Sequence, residues 1–336
     1  MAWKNSAFPA LPALFALLLS VIATPCSAGM VSLTFDDGLR SVYDEARPVL
    51  QKYNKKATVA IIVNRMLSKN NDYMNMAQVL ELQKNGWEVA SHGMTHTRPT
   101  SIPRFYYEEP VTDWSREDDD SPVHQTKYSY DEVAGLLDNE RPLTRLDTAQ
   151  DVEKTPGSYY LDQLISELHV HPFVDPSSRD LNIRSVCYQR EMQESKQKLE
   201  SLGFNVSTFV TPFNYWTTEL QEVSKFYYKQ VASGMDRSNF PKDLNLFWLK
   251  RYHIRTATTT EDVKKLIERD AVDKNGWVIL CLHGIEDDMG WQPWDADRLE
   301  DLVSWLDEQG IKVVTLSEGA SLITSDNYAS ITKIKR

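Results

Sequence analysis

Met30-Val31-Ser32-Leu33-Thr34-Phe35-Asp36-Asp37-Gly38 is the stretch from which the fold follows. Val31, Leu33 and Phe35 alternate with Ser32 and Thr34, the period of a β-strand, and a glycine straight after the acids lets the chain turn sharply. Two adjacent carboxylates are thus delivered at the C-terminal end of a strand. Side chains alternate faces along a strand, but the backbone can twist at its end so that both acids reach one cavity. Their repulsion there is costly unless a cation or a proton intervenes, and a metal ion is the natural remedy. Taken alone, residues 34–38 read equally well as an Asp-Asp-Gly turn in a solvated hairpin. Their surroundings decide.

Downstream, Val42, Ala46, Val49, Leu50 and Tyr53 recur at helical spacing over 41–53, with Pro48 as a flaw inside the pattern. Residues 58–63 are β-branched and almost continuously apolar, as in a strand covered on both faces. A helix over 76–84 stops at Asn85-Gly86, and a third strand follows over 87–90. The pattern resumes after Arg184, with helices predicted over 186–202, 218–226, 260–274 and 296–309 and strands over 206–210, 229–233, 246–254, 277–282 and 311–316. Such alternation implies parallel strands joined by right-handed crossovers. Seven or eight units favour closure, so the fold class is α/β: a distorted (β/α)7–8 barrel, TIM-barrel-like, with its site at the C-terminal ends of the strands. A long insertion after the third strand, 97–183, lacks clear periodicity and holds the run Arg116-Glu117-Asp118-Asp119-Asp120. It is expected to be partly structured, with short helices over 130–139 and 159–168, and to border the site. The acidic run reads as a solvated loop.

The chain has 336 residues, 41% hydrophobic and 25% charged, which suits a globular protein. Residues 1–28 stand apart: Lys4 is their one charged residue, an apolar run over 10–23 is short for a bilayer span, and Cys26-Ser27-Ala28 has the form of a cleavage site. That is the pattern of a secretory signal peptide. Cys26 has no leucine-led lipobox, so removal is expected rather than a lipid anchor. The expected organisation is signal peptide 1–28, barrel 29–325 and C-terminal tail 326–336. No stable membrane span is expected after cleavage, and the mature chain is expected in the periplasm or outside the cell. A net charge of −11 argues against nucleic acid and anionic membranes as partners. Cys187 and Cys281 remain after cleavage. Their pairing is open, and Cys281, inside an apolar run, reads more simply as core.

Two further constellations fall at predicted strand ends. Ser91-His92-Gly93-Met94-Thr95-His96 follows the third strand. Histidines four apart share a face if the segment makes a helical turn, and with one carboxylate they form a three-ligand set with open positions. Val278-Ile279-Leu280-Cys281-Leu282-His283-Gly284 is again a strand with a histidine at its end, suited to passing protons near neutral pH. In a barrel these ends converge. Tyr215 and Trp216 follow Pro212, and Trp291 and Trp294 follow His283 by one loop. Their rings could stack on sugars or simply pack. His124, His169 and His171 lie in the insertion and read as solvated or hydrogen-bonded.

With these motifs in this order, the chain resembles the polysaccharide deacetylase family, the carbohydrate esterase family 4 group with the chitooligosaccharide deacetylase homology domain. Thr34-Phe35-Asp36-Asp37-Gly38 matches its first motif, His92 to His96 its second and Leu280 to His283 its last, and the likeness runs from residue 30 to about 316 apart from the insertion. The resemblance implies Asp37, His92 and His96 as ligands of a divalent metal, zinc being the expected ion, with Asp36 as base and His283 as acid. It implies an N-acetylated glycan as substrate and an oxyanion donor at the backbone N–H near Phe213, beside Pro212. Two departures stand out. The family's middle motif carries an Arg before Pro-Tyr/Phe-Gly, whereas this chain reads Val210-Thr211-Pro212-Phe213-Asn214. The motif that sets an Asp beside a Trp to tune the acid histidine has no clean counterpart. The strand after Trp248 offers Arg251 and His253 instead, and Arg251 is expected to pair with Asp36 and complete the catalytic set. The expected function is an exported metal-dependent N-deacetylase releasing acetate. The alternatives are an O-deacetylase or other amidohydrolase on the same site, or a glycan-binding barrel that has lost catalysis.

Overall fold

A computed structural model describes residues 29–99, 108–129, 133, 135–174, 177, 180–287 and 290–325. The expected signal peptide and the tail 326–336 lie outside the described residues. Strands β1 (Met30–Phe35), β2 (Thr58–Ile61), β3 (Glu88–Ser91), β4 (Thr208–Val210), β5 (Gln230–Ser233), β6 (Leu249–Lys250), β7 (Tyr252–His253), β8 (Trp277–Leu282) and β9 (Lys312–Val313) form one nine-stranded parallel sheet. Its order is β6-β5-β4-β3-β2-β1-β8-β7. The two ends of that path are separated in sequence by Arg251 alone. Leu249–Lys250 pairs with β5 and Tyr252–His253 with β8, so the chain changes partner at Arg251 and the sheet closes on itself.

The barrel is distorted, as expected, at two seams. β1 gives Thr34 and Phe35 to β2 but Met30 and Val31 to β9. The β3–β4 contact rests on Phe209 opposite Ser91. Every residue of β1 and β8 is buried, and strand parity divides their side chains between two cores. Met30, Ala60, Ala90, Val210, Ala232, Leu249, Trp277 and Ile279 fill the barrel interior. Val31, Leu33, Phe35, Val59, Val89, Phe209, Val231, Val278 and Leu280 face the helical layer, where they meet residues such as Leu199, Leu302 and Leu306. Parity places the site as well: counting in twos, Met30 leads to Asp36, Ala90 to His92, Leu249 to Arg251, and Trp277 to Cys281 and His283.

Secondary structure departs from expectation mainly in the insertion, which is built of strands. One sheet runs Ser115–Arg116, His124–Lys127, Glu167–His171, Ser158–Asp162, Thr144–Arg145. The other runs Glu109–Pro110, Ile183–Ser185, Leu136–Asp138, Arg141–Pro142. The helix expected over 159–168 is instead a hairpin, Ser158–Asp162 paired antiparallel with Glu167–His171. Leu168 and Val170 are buried between half-buried Glu167, His169 and His171, a period-two pattern that packs with Tyr159 and Leu161 in a separate small core. Of the helix expected over 130–139, the described end is the strand Leu136–Asp138, and residues 130–132 and 134 lie outside the description. The 260–274 helix continues past Ile267 as a π-helical turn, Glu268–Val272. Both cysteines are buried free thiols. No helix among the described residues is long and apolar enough to cross a membrane.

Candidate active site

At the C-terminal mouth of the barrel, Asp36 continues the inward parity of β1 and is almost wholly buried. Arg251, fully buried at the β6–β7 break, clamps it with two parallel bonds: Nη1 donates to Oδ1 at 2.8 Å and Nη2 to Oδ2 at 2.9 Å. Nη1 also donates to the Thr34 hydroxyl at 3.1 Å. Burial alone would raise the Asp36 carboxyl, but the Arg251 charge and hydrogen bonds, with His92 and His283 nearby, hold it well below the usual carboxylate range. The arginine missing from position 211 thus has a spatial replacement. Thr211 is buried and donates to the Ala232 carbonyl.

Asn214 supports the clamp. Its side-chain oxygen accepts from Arg251 Nη2, and its amide nitrogen lies 2.9 Å from His253 Nε2. His253 Nδ1 in turn lies 2.9 Å from an Asp236 oxygen. Sequence reasoning passed over Asn214 as a departure from the family's glycine. The backbone there explains the exchange: φ is 56° at Phe213 and 55° at Asn214, and asparagine tolerates this left-handed region better than most side chains. Cys281 Sγ lies 3.5 Å from Asp36 Oδ2, and burial keeps its thiol protonated.

Asp37 leaves the strand with φ 70° and Gly38 follows at φ 71°. This reversal turns both acids toward one region. Asp37 Oδ1 sits 3.4 Å from His92 Nε2 and 3.3 Å from His96 Nε2. The His92–His96 segment is an irregular bend rather than the expected helical turn, with φ 83° at Gly93 and 67° at His96. The two imidazoles converge all the same, with ring centroids 4.8 Å apart. His92 Nδ1 donates to the Val210 carbonyl at 2.8 Å, which fixes the tautomer and leaves Nε2 as a lone-pair donor. Among the described residues, buried Asp37 Oδ1 accepts no hydrogen bond that meets normal geometry. One carboxylate and two imidazoles meeting around an unsatisfied oxygen fit a divalent metal ion. Burial and the charge of His92 lower His96 to about 4. Burial lowers the His92 pKa, but the Asp37 and Asp36 carboxylates and the Val210 carbonyl together outweigh it and leave the pKa raised.

Glu191, on the helix Tyr188–Ser201, also escaped sequence reasoning, lying a hundred residues away in a polar stretch. Buried behind the histidine bend, it accepts from the Thr95 backbone N–H at 2.7 Å and from the Thr95 hydroxyl at 3.0 Å. A Cβ at Gly93 would come within 2.9 Å of its carboxylate. Burial pushes Glu191 up to about 7, against the bonds from Thr95.

His283 closes the site from β8, grouped with Asp36 and Cys281. Its ring meets Trp291 edge-on at 5.0 Å, its Nδ1 has no hydrogen-bond partner among the described residues, and burial lowers its pKa. The aromatic residues separate into two groups. Phe213, Tyr215 and Trp291 are 45%, 40% and 48% exposed, and the Phe213 ring lies 4.6 Å from that of His96. Trp294, by contrast, is 2% exposed and donates to the Thr258 carbonyl. Trp216 stacks on Trp248 at 4.2 Å and donates to Phe247. In both the indole N–H is bonded to backbone, and Trp294 is buried whereas Trp216 is half-buried. Pro212 is buried and opens the tight turn that presents Phe213. His124, His169 and His171 lie in the insertion strands, bonded to Arg116, near Glu167, and bonded to Val152 respectively. A cavity of about 230 Å3 opens beside Asp37, His96 and Phe213.

The model of the family described as Polysaccharide deacetylase matches residues 24–135. The "Putative polysaccharide deacetylase YxkH" of Bacillus subtilis (strain 168) is 27% identical over 141 residues, 41% of this chain, which spans 50% of that relative's length. Among solved structures, the peptidoglycan deacetylase PdaC from Bacillus subtilis aligns at 12% identity over 91% of this chain and 96% of that one, with a TM-score of 0.46. The Xyl-CE4 domain of a multidomain xylanase from the hindgut metagenome of Trinervitermes trinervoides aligns at 17% identity over 86% and 88%, with a TM-score of 0.44.

Proposed function

We infer that this chain, a relative of the polysaccharide deacetylases through residues 24–135, is an exported metal-dependent hydrolase. It removes the acetyl group from an N-acetylated amino sugar in a polysaccharide or oligosaccharide and releases acetate. One observation carries the reading: the donor set Asp37, His92 and His96 sits at the same barrel mouth as a carboxylate, Asp36, locked in place by Arg251. Zinc is the ion that this donor set suits best. Such an ion, when bound, would polarise the acetyl carbonyl and lower the pKa of water.

The chain's own residues supply the rest. Asp36 is ionised at neutral pH; Oδ2 accepts from both Arg251 and the Cys281 thiol, whereas Oδ1 keeps a lone pair beyond the one used by Arg251 and can accept a proton from the attacking water. The Phe213 backbone N–H, in its left-handed turn, is the oxyanion donor. His283, whose buried Nδ1 has no hydrogen-bond partner among the described residues, protonates the departing amine. Phe213, Tyr215 and Trp291 offer exposed faces on which sugar rings stack.

The test is acetate release from N-acetylglucosamine oligomers by the full chain, stripped by chelator and reloaded with zinc, beside O-acetylated xylan oligomers. Release from the first, restored by zinc, supports the N-deacetylase. Release from the second alone would make it an O-deacetylase. Export rests on residues 1–28 and is tested by fractionating cells that carry the chain with and without them.

A further inference from the structure

Two arginines line the cavity beside Asp37 and His96. Arg65 comes from the short helix Val63–Leu67, and Arg145 comes from the insertion, on the strand Thr144–Arg145. Among the described residues neither makes an ion pair or a side-chain hydrogen bond. Arg65 has the Tyr73 ring 5.4 Å away, and Tyr73 also lines the cavity. A third guanidinium, Arg98, lies 4.5 Å from the centroid of the Phe213 ring on the same lip. In a chain of net charge −11, like charges gathered at one small opening repel unless an anion lies between them. Guanidinium groups grip the planar oxygens of a carboxylate or phosphate in a bidentate fork. The adjoining cavity shares Arg145 but sets two carboxylates, Asp147 and Asp162, against it, whereas the cavity beside the metal-ligand set has two arginines to the one carboxylate of Asp37, so an anion is favoured on that side. At about 230 Å3 the space is smaller than the ~300–1,000 Å3 that encloses a whole ligand. It admits one ring or its substituent and leaves the remaining glycan outside.

We propose that Arg65 and Arg145 form a subsite for an anionic substituent, a carboxylate or phosphate, on or next to the sugar that is deacetylated, so that the substrate is an acidic glycan. The insertion then has a role in selection, since it contributes Arg145 to the cavity that Arg65 also lines. This inference rests on the deacetylase reading for its reaction but not for its binding.

The experiment measures binding first, with chelator-treated full chain at low salt. The probes are a neutral N-acetylglucosamine tetramer, a tetrasaccharide alternating N-acetylglucosamine with glucuronic acid, and a phosphodiester-linked N-acetylglucosamine oligomer. An acidic probe is expected to bind roughly tenfold or more tightly than the neutral one, as contacts to a charged group allow, with the gap narrowing as salt is added. Which acidic probe leads identifies the anion. R65Q/R145Q closes the gap, whereas K52Q/K55Q, which removes the same charge from the ion pairs with Glu300 and Asp307, leaves it open. Equal binding of neutral and acidic probes, or a gap that survives R65Q/R145Q, overturns the inference. Acetate release by the zinc-loaded chain is read separately. Release without acidic preference sinks the subsite and spares the deacetylase, and acidic preference without release from any probe does the reverse.

Discussion

Arg251 reaches Asp36 from the one point where the sheet changes partner to close, with both guanidinium nitrogens on both carboxylate oxygens. The barrel's closure and the orientation of the Asp36 carboxylate therefore meet at one residue. Removing one partner of a buried pair strands the other charge, which costs about 3–5 kcal/mol. Arg251→Met is expected to lower stability by that order in chemical denaturation and to cut acetate release by at least ~100-fold, as a misplaced reacting group does. Arg251→Lys keeps the charge but loses the fork, so it should fold with an intermediate loss of kcat. Parent-like stability in Arg251→Met would show that the pair contributes nothing.

Asn214 holds Arg251 from the far side and links it to His253 and Asp236. Glycine suits the left-handed backbone at this position, so Asn214→Gly should leave the turn intact while deleting both bonds. The expected result is a fall in kcat of about tenfold, one hydrogen bond to a charged group, with KM and the melting temperature little changed. A change confined to KM would place Asn214 against substrate instead.

How far the site could be seen in advance follows from parity. Asp36, His92 and His283 each end an apolar run that announces a buried strand, so their convergence was legible once the runs were taken as staves of one barrel. Arg251 was legible for the same reason, two residues beyond Leu249 in an inward-facing register. Asn214 and Glu191 were not: one acts because of a backbone angle, the other through contacts a hundred residues distant in sequence. The insertion hid for a different cause. Its strands span two to five residues, too short for a period to stand out, and turns such as 163–166 merge neighbouring strands into what looks like one helix. Trp216 and Trp294 were indistinguishable from Trp291 because sequence position at a loop says nothing about where an indole N–H is bonded.

Aromatic residues at the mouth therefore divide by test. Trp291→Ala should raise KM for glycan several-fold without lowering the melting temperature, because the ring is half exposed. Trp294→Ala should cost about 3–5 kcal/mol of stability, as emptying a core aromatic site does. Denaturation curves and steady-state kinetics on the two variants distinguish them, and the reverse pattern would reassign both rings.

The donor set predicts a metal-linked stability. An ion that binds the folded chain at a hundred times its Kd adds about 2.7 kcal/mol, so zinc should raise the melting temperature of chelator-treated protein in a concentration-dependent way. Asp37→Ala should abolish both that shift and stoichiometric zinc retention. If the shift persists in Asp37→Ala, the ion binds elsewhere.

Glu191 gives a pH signature that can be read with chelator present, independent of catalysis. Burial raises its carboxyl from 4.5 to about 7 in the folded protein. Between those two values the folded state holds a proton that the unfolded state has released, so stability falls as pH rises through the window and levels off above it. Glu191→Gln keeps an oxygen to accept the Thr95 bonds but cannot ionise. It should therefore be the more stable protein at pH 8, by about 1–3 kcal/mol, and indistinguishable from the parent near pH 4. Because the same carboxylate braces the bend that carries His92 and His96, the variant should also hold zinc across that range without the parent's change in affinity attributable to this group. Denaturant titrations of both proteins from pH 4 to 8 decide the matter, and parallel curves would mean that Glu191 is ionised in the folded chain throughout.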